Sequence, residues 1–232
     1  MDSNKKTARI AGLLYFIVVL TGIFGIMYVP SKLLVMKDAS ATFNNVVNGE
    51  QLFRLSIAST LISYIIMLII PFVLYKLLKS VNKNTAVLMV ALGMVSAILS
   101  FIPVSYKMDV ITLISDADYL NTYSTEQLQS KMMLSLGSYY SGTRIAMLFW
   151  GLWLFPFGYL VFKSGILPKF LGVFLMLGCL GYLIQVFGRL IIPGYSELGI
   201  SSFVTLPATI GELGICLWLL IMGAKEKLST VD

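Results

Sequence analysis

Residues 202–222 read SFVTLPATIGELGICLWLLIM, an apolar run interrupted by a single charge, Glu212. At 1.5 Å of rise per residue, about 20 such residues cross the ~30 Å hydrocarbon core of a bilayer. The run therefore reads as a membrane-spanning helix. Glu212 stands about ten residues from either end, where even the lowest scales put an acidic charge at about 2.5–3.5 kcal/mol. Thr205, Thr209, Glu212 and Cys216 recur at i, i+4, i+7 and i+11, one face of a helix.

Working outward, comparable runs occur near residues 10–29, 52–74, 86–104, 143–162 and 170–192. The composition agrees: 58% of the 232 residues are hydrophobic and 12% are charged, against about 25% charged in soluble domains. Mean hydropathy is +0.88. The expected fold is all-α, a polytopic transmembrane bundle of about six spanning helices in one domain over residues 1–232.

Two short external surface helices are also expected. Asp38 can cap one carrying Ala39, Phe43, Val46 and Val47 on one side, with Gly49 ending it. Ser124 and Gln127 form a capping-box signature ahead of Leu128, Met132 and Leu136. Cytoplasmic turns near residues 80–84 and 164–168 are short, which makes the flanking helices antiparallel hairpins.

The net charge of +6 does not suggest a nucleic-acid partner, because the cations lie between apolar runs and not on one exposed face. It reads as topology. Lys5, Lys6, Arg9, Lys76, Lys79, Lys83, Lys163, Lys169, Lys225 and Lys227 fall on one side. Lys32, Lys37, Arg54, Lys107, Lys131, Arg144 and Arg189 fall on or near the other. The positive-inside rule then places both termini in the cytoplasm, with the chain in the cell membrane. Of the acidic residues, Asp2, Glu226 and Asp232 lie on the inner side.

Several chemistries are missing. With no histidine in the chain there is no imidazole base, metal ligand or haem ligand. No H-E-x-x-H, G-x-S-x-G, Walker loop or Cys-x-x-Cys occurs. Cys179 and Cys216 lie within apolar runs and read as unpaired packing residues. The methionines read as packing, and Trp150, Trp153 and Trp218 as interface anchors and core filling, not a ligand cage. No cofactor, metal or catalytic residue is assigned, and the chain leans away from enzymes.

The candidate polar site is Glu212, Arg189, Arg144, Arg54, Gln185 and Thr209. Polar residues within a membrane face the bundle interior, so stripes on three helices should converge. These are Gly93, Ser96, Ser100 and Pro103; Gly178, Gly181, Gln185 and Arg189; and the Glu212 stripe. The competing explanation for the Ser, Thr and Gly positions is close helix approach. Glu212 is expected either to meet an arginine from a basic outer mouth, Arg54, Lys107, Arg144 and Arg189, or to donate as a protonated acid to a nearby threonine or carbonyl.

Three functions follow. The first is a small permease or solute-binding protein for an anionic or zwitterionic ligand, seated in the bilayer. The second is a non-enzymatic interaction or accessory subunit with a membrane-protein partner. The least favoured is a metal-free lipid-modifying enzyme acting through Glu212 and an arginine.

Several segments resemble a family of uncharacterised bacterial membrane proteins, domain of unknown function 4386. They are Ala8-Arg9-Ile10-Ala11-Gly12-Leu13-Leu14-Tyr15, Ala41-Thr42-Phe43 with Leu52-Phe53-Arg54, residues 152–158 (LWLFPFG) with Ser164-Gly165 and Pro168, and Gly211-Glu212 before Trp218-Leu219-Leu220. The resemblance implies a bacterial six-helix bundle and supplies no activity.

Overall fold

The computed structural model describes residues 3–225. Asp2, Glu226, Lys227 and Asp232, assigned to the inner side from the sequence, lie outside the described residues. Within residues 3–225 the regular structure is entirely helical, and six helices are long and apolar enough to cross a membrane. They are α1 (Asn4–Leu33), α3 (Glu50–Leu78), α4 (Lys83–Leu113), α5 (Thr125–Lys163), α6 (Lys169–Ile191) and α7 (Ser201–Ile221). The short α2 (Ala39–Asn48) lies between the first two.

The first four spans extend beyond their apolar runs, carried on by polar turns, while α6 and α7 match theirs to within a residue. The clearest departure from expectation concerns the second surface helix. The Ser124–Gln127 capping box forms, with Gln127 N–H donating to Ser124 Oγ at 3.3 Å and Ser124 N–H to Gln127 Oε1 at 2.8 Å. The helix it starts then runs unbroken for 39 residues into the span. Gly137 and Gly142 do not stop it, since an isolated glycine costs a helix only about 1 kcal/mol, and no proline intervenes before Pro156. It is thus the N-terminal part of α5. The first surface helix does form as α2, with Ala41 N–H donating to the Asp38 carboxylate at 2.8 Å and Gly49 at its C-terminus.

Each spanning helix packs on its sequence neighbours, and α7 returns to α1, so the spans form a ring. Small residues close it. A side chain on Gly12 would collide with the α7 backbone at Leu219–Leu220, and Arg9 at this end donates to the Ile221 carbonyl at 3.2 Å. The outward surface is apolar, with Leu13, Ile62, Ile65, Phe72, Ile98, Leu180 and Phe203 exposed, as a lipid-facing belt requires. Inside the ring are two cores. One joins Ala8, Leu74, Leu154, Leu175 and Leu219 at the end that carries the described termini. The other joins Val29, Phe53, Val104, Met132 and Leu136 at the opposite end.

Helix α1 changes register within the second core. Residues Ile23–Tyr28 are π-helical, and Val29 N–H bonds back to Phe24 O. The next bond of that register needs an N–H at position 30, which is Pro30. The Gly25 carbonyl is therefore left open, and Lys107 of α4 donates to it at 3.1 Å.

Candidate functional site: a carboxylate in a central aromatic cavity

Between the two cores lies a cavity of about 150 Å³ to which all six spans contribute. Glu212 stands in its wall, half-buried. Tyr15 Oη donates to Glu212 Oε2 at 3.1 Å and Tyr182 Oη donates to Oε1 at 3.2 Å. Glycines make both contacts possible. Gly12 brings α1 against α7 one turn before Tyr15, and Gly181, which faces the Val204 carbonyl, brings α6 against α7 beside Tyr182.

The rest of the wall combines aromatic and hydroxylic side chains, Tyr64 and Ser63 from α3, Ser100 from α4, and Trp150 and Trp153 from α5, with aliphatic ones such as Val18, Ile26 and Met67. Trp150 Nε1 donates to Ser100 Oγ at 2.8 Å, and Ser100 in turn donates to the Ser96 carbonyl at 2.7 Å. The Trp153 ring lies 6.4 Å from Tyr15 and stacks on Phe157 at 5.4 Å. The Trp150 ring lies 6.5 Å from Tyr64. A carboxylate offers about four lone-pair sites, so two hydroxyl donors leave acceptor capacity for something in the cavity. The ring faces add negative potential to it.

The six candidates named from the sequence do not form one site. Glu212 reaches neither an arginine nor a threonine; its hydrogen bonds come from Tyr15 and Tyr182. Arg54 is exposed and paired with Glu50 at 2.6 Å, and it lines a shallow depression of its own between α3 and α4. Thr209 is exposed, its hydroxyl turned back to the Thr205 carbonyl at 3.3 Å. Arg144, Arg189 and Gln185 do come together, in a groove between α5 and α6. With its amide turned so that the oxygen faces Arg189, the orientation that satisfies both ends, Gln185 accepts from Arg189 Nε at 2.9 Å and Nη2 at 3.0 Å and donates to Ser201 at 3.2 Å.

Lys107 leaves the expected basic mouth altogether. It is fully buried, with its ammonium 4.5 Å from the Tyr139 ring centre and 6.0 Å from that of Phe53. Of the stripes, Ser96 and Ser100 face inward with Gly93. Gly178 instead seats Ala208 of α7, so on α6 close approach is the better explanation and the cavity residue is Tyr182.

Trp150 and Trp153 pack in the core, as expected of core filling, but do not act as interface anchors, and both also line the cavity. Their signal was depth. Both stand near the middle of the 143–162 run, as Tyr182 does in 170–192, too deep for interface anchors. Among the described residues no cluster of three His, Cys, Asp or Glu side chains forms a metal site.

The family model described as Domain of unknown function (DUF4386) matches residues 10–223. The chain belongs to this family. An uncharacterized protein of Archaeoglobus fulgidus is 31% identical to the DUF4386 chain over 160 residues, which cover 68% of this chain and 78% of that one. No solved structure matches it.

Proposed function

We propose that this DUF4386 protein is a permease-type solute-binding membrane protein whose central cavity takes a small organic cation, an alkylammonium or protonated amine. The observation that carries this reading is Glu212, an acidic group held by two tyrosine hydroxyls in a chamber walled by Tyr64, Trp150 and Trp153. Among the described residues the ion pair is Arg54–Glu50, remote in the fold from Glu212. A ligand ammonium supplies the missing counter-charge, and each aromatic face adds about 0.5–2 kcal/mol. A chamber near 150 Å³ suits a ligand of roughly five to eight non-hydrogen atoms, since cavities of about this size accept benzene. The Lys and Arg distribution supports both termini in the cytoplasm of a cell-membrane protein.

Tetramethylammonium tests the reading, with uncharged tert-butanol as its match in size. In nanodiscs, the ammonium should produce a saturable change in tryptophan fluorescence, from Trp150 and Trp153. Glu212→Gln should weaken that binding at least about tenfold, or about 1.4 kcal/mol. Equal affinity for tert-butanol, or unchanged ammonium binding in Glu212→Gln, would remove the cation reading. Uptake of labelled ammonium into proteoliposomes then separates transport from binding.

A further inference from the structure

We infer that the groove between α5 and α6 is a separate site for an oxyanion headgroup, a phosphate or carboxylate carried on an amphiphile. This inference does not rest on the cation reading, because the central cavity and the groove share no residue. The groove has a volume of about 840 Å³ and carries Arg144 and Arg189, with no Asp or Glu in its wall. A smaller hollow at its rim, beside Tyr195 and Ser196, is lined by the same two arginines, which places them at one locus.

Neither guanidinium is saturated. Arg144 gives one bond, from Nη2 to the Ser141 hydroxyl at 2.8 Å. Arg189 gives Nε and Nη2 to the Gln185 amide. Of five N–H donors on each group, the remainder are left for a ligand. Gln185 is buried and further tied to Ser201, so it fixes Arg189 in place, a geometry that favours bidentate oxyanion capture.

Beside the arginines the groove wall carries the hydroxyls of Ser138, Ser141 and Thr143 and an apolar flank of Met133, Leu134 and Val186. Leu134 is 72% exposed and Leu190, at the rim, 77% exposed. A free inorganic anion has no use for that apolar flank. An acyl chain attached to the anion does, which selects an amphiphile over a soluble ion.

The test uses the full chain in detergent, so that membrane sidedness does not enter. Native mass spectrometry measures retention of phosphatidylglycerol against phosphatidylcholine, with inorganic phosphate as competitor. Phosphatidylglycerol should be retained at least about fivefold better. The paired Arg144→Gln, Arg189→Gln variant should erase that preference while leaving tetramethylammonium binding unchanged. Phosphate at millimolar concentration should compete weakly. Full displacement by equimolar phosphate would make the site one for a free oxyanion and overturn the amphiphile. No preference between the lipids, or a preference that survives the paired substitution, would overturn the site itself. Gln185→Ala serves as a second variant: if Gln185 positions Arg189, the preference falls while the chain still elutes as a folded species.

Discussion

Substituting Gly25 by alanine tests whether the π-helical register of α1 and its lysine latch hold the outer core together. A Cβ on Gly25 would lie 2.5 Å from Thr60 Oγ1, 2.7 Å from the Ser56 carbonyl oxygen and 3.2 Å from Thr60 N. A comfortable carbon–oxygen contact is about 3.3 Å or more. Rotating Thr60 away does not relieve the clash, because the Ser56 carbonyl belongs to the α3 backbone and stays in place. Helices α1 and α3 must separate, at a cost of about 1–3 kcal/mol for overpacking. Moving Gly25 also stretches the bond from Lys107 to its carbonyl, and hydrogen bonds to charged groups contribute about 1.5–3 kcal/mol. Alanine returns about 1 kcal/mol of helix propensity. The net loss is about 2–4 kcal/mol, or roughly 5–15 °C in melting temperature at this chain length. Thermal unfolding in detergent, followed by tryptophan fluorescence and by the monodisperse fraction after heating, reads it. Gly137→Ala is the internal control, since nothing lies within 4 Å of its Cβ position, and it should gain about 0.5–1 kcal/mol. A Gly25→Ala protein that melts at or above the parent, or that shifts together with Gly137→Ala, would refute the reasoning.

Ser100→Ala removes the acceptor of the Trp150 indole N–H; a loss of about 1–3 kcal/mol is expected, measured by the same melting curves, and Trp150→Phe in that background should recover part of it. Tyr182→Phe and Glu212→Gln should be non-additive by about 1 kcal/mol, because they share one 3.2 Å bond; additive losses in the double-mutant cycle would separate them. Arg54→Gln breaks an exposed i, i+4 pair whose side chains are 49% and 43% exposed, so stability should move by less than about 0.5 kcal/mol and ammonium binding not at all.

The six spans were legible because hydrophobic length is a one-dimensional signal: about 20 apolar residues mean the same thing wherever the helix packs. Helix extent was less so. Nothing apolar announced that the capped segment beginning at Ser124 continues into the span, since a helix needs only the absence of breakers to carry on. The candidate site was half legible. Glu212 stood out by its cost, but its partners are tyrosines on α1 and α6, and which helices flank α7 depends on ring closure. Arg54, Arg144 and Arg189 all sit near outer helix ends in sequence, yet rotation about each helix axis separates Arg54 from the other two. Lys107 shows the same effect most sharply, one residue from the exposed Met108 and itself buried.

Lys107 and Glu212 are both taken out of water, and the contrast between them is the physical basis for placing function at the carboxylate. Lys107 is enclosed by the protein: it donates one hydrogen bond to the carbonyl that Pro30 leaves open, and the faces of Tyr139 and Phe53 lie by its charge. It lines neither the central chamber nor the other hollows. A buried cation so enclosed fixes a register and leaves no room for a ligand. Glu212 receives two neutral donors and faces a chamber instead of a cation. A fold that needed only a structural hydrogen bond there could use glutamine with the same two tyrosines and avoid an acidic group in the membrane. An acid is the better choice there if something positively charged enters the cavity, and Glu212→Gln separates the two cases: near-parental melting with lost ammonium binding identifies the ligand role, while lost stability with intact binding returns Glu212 to the architecture.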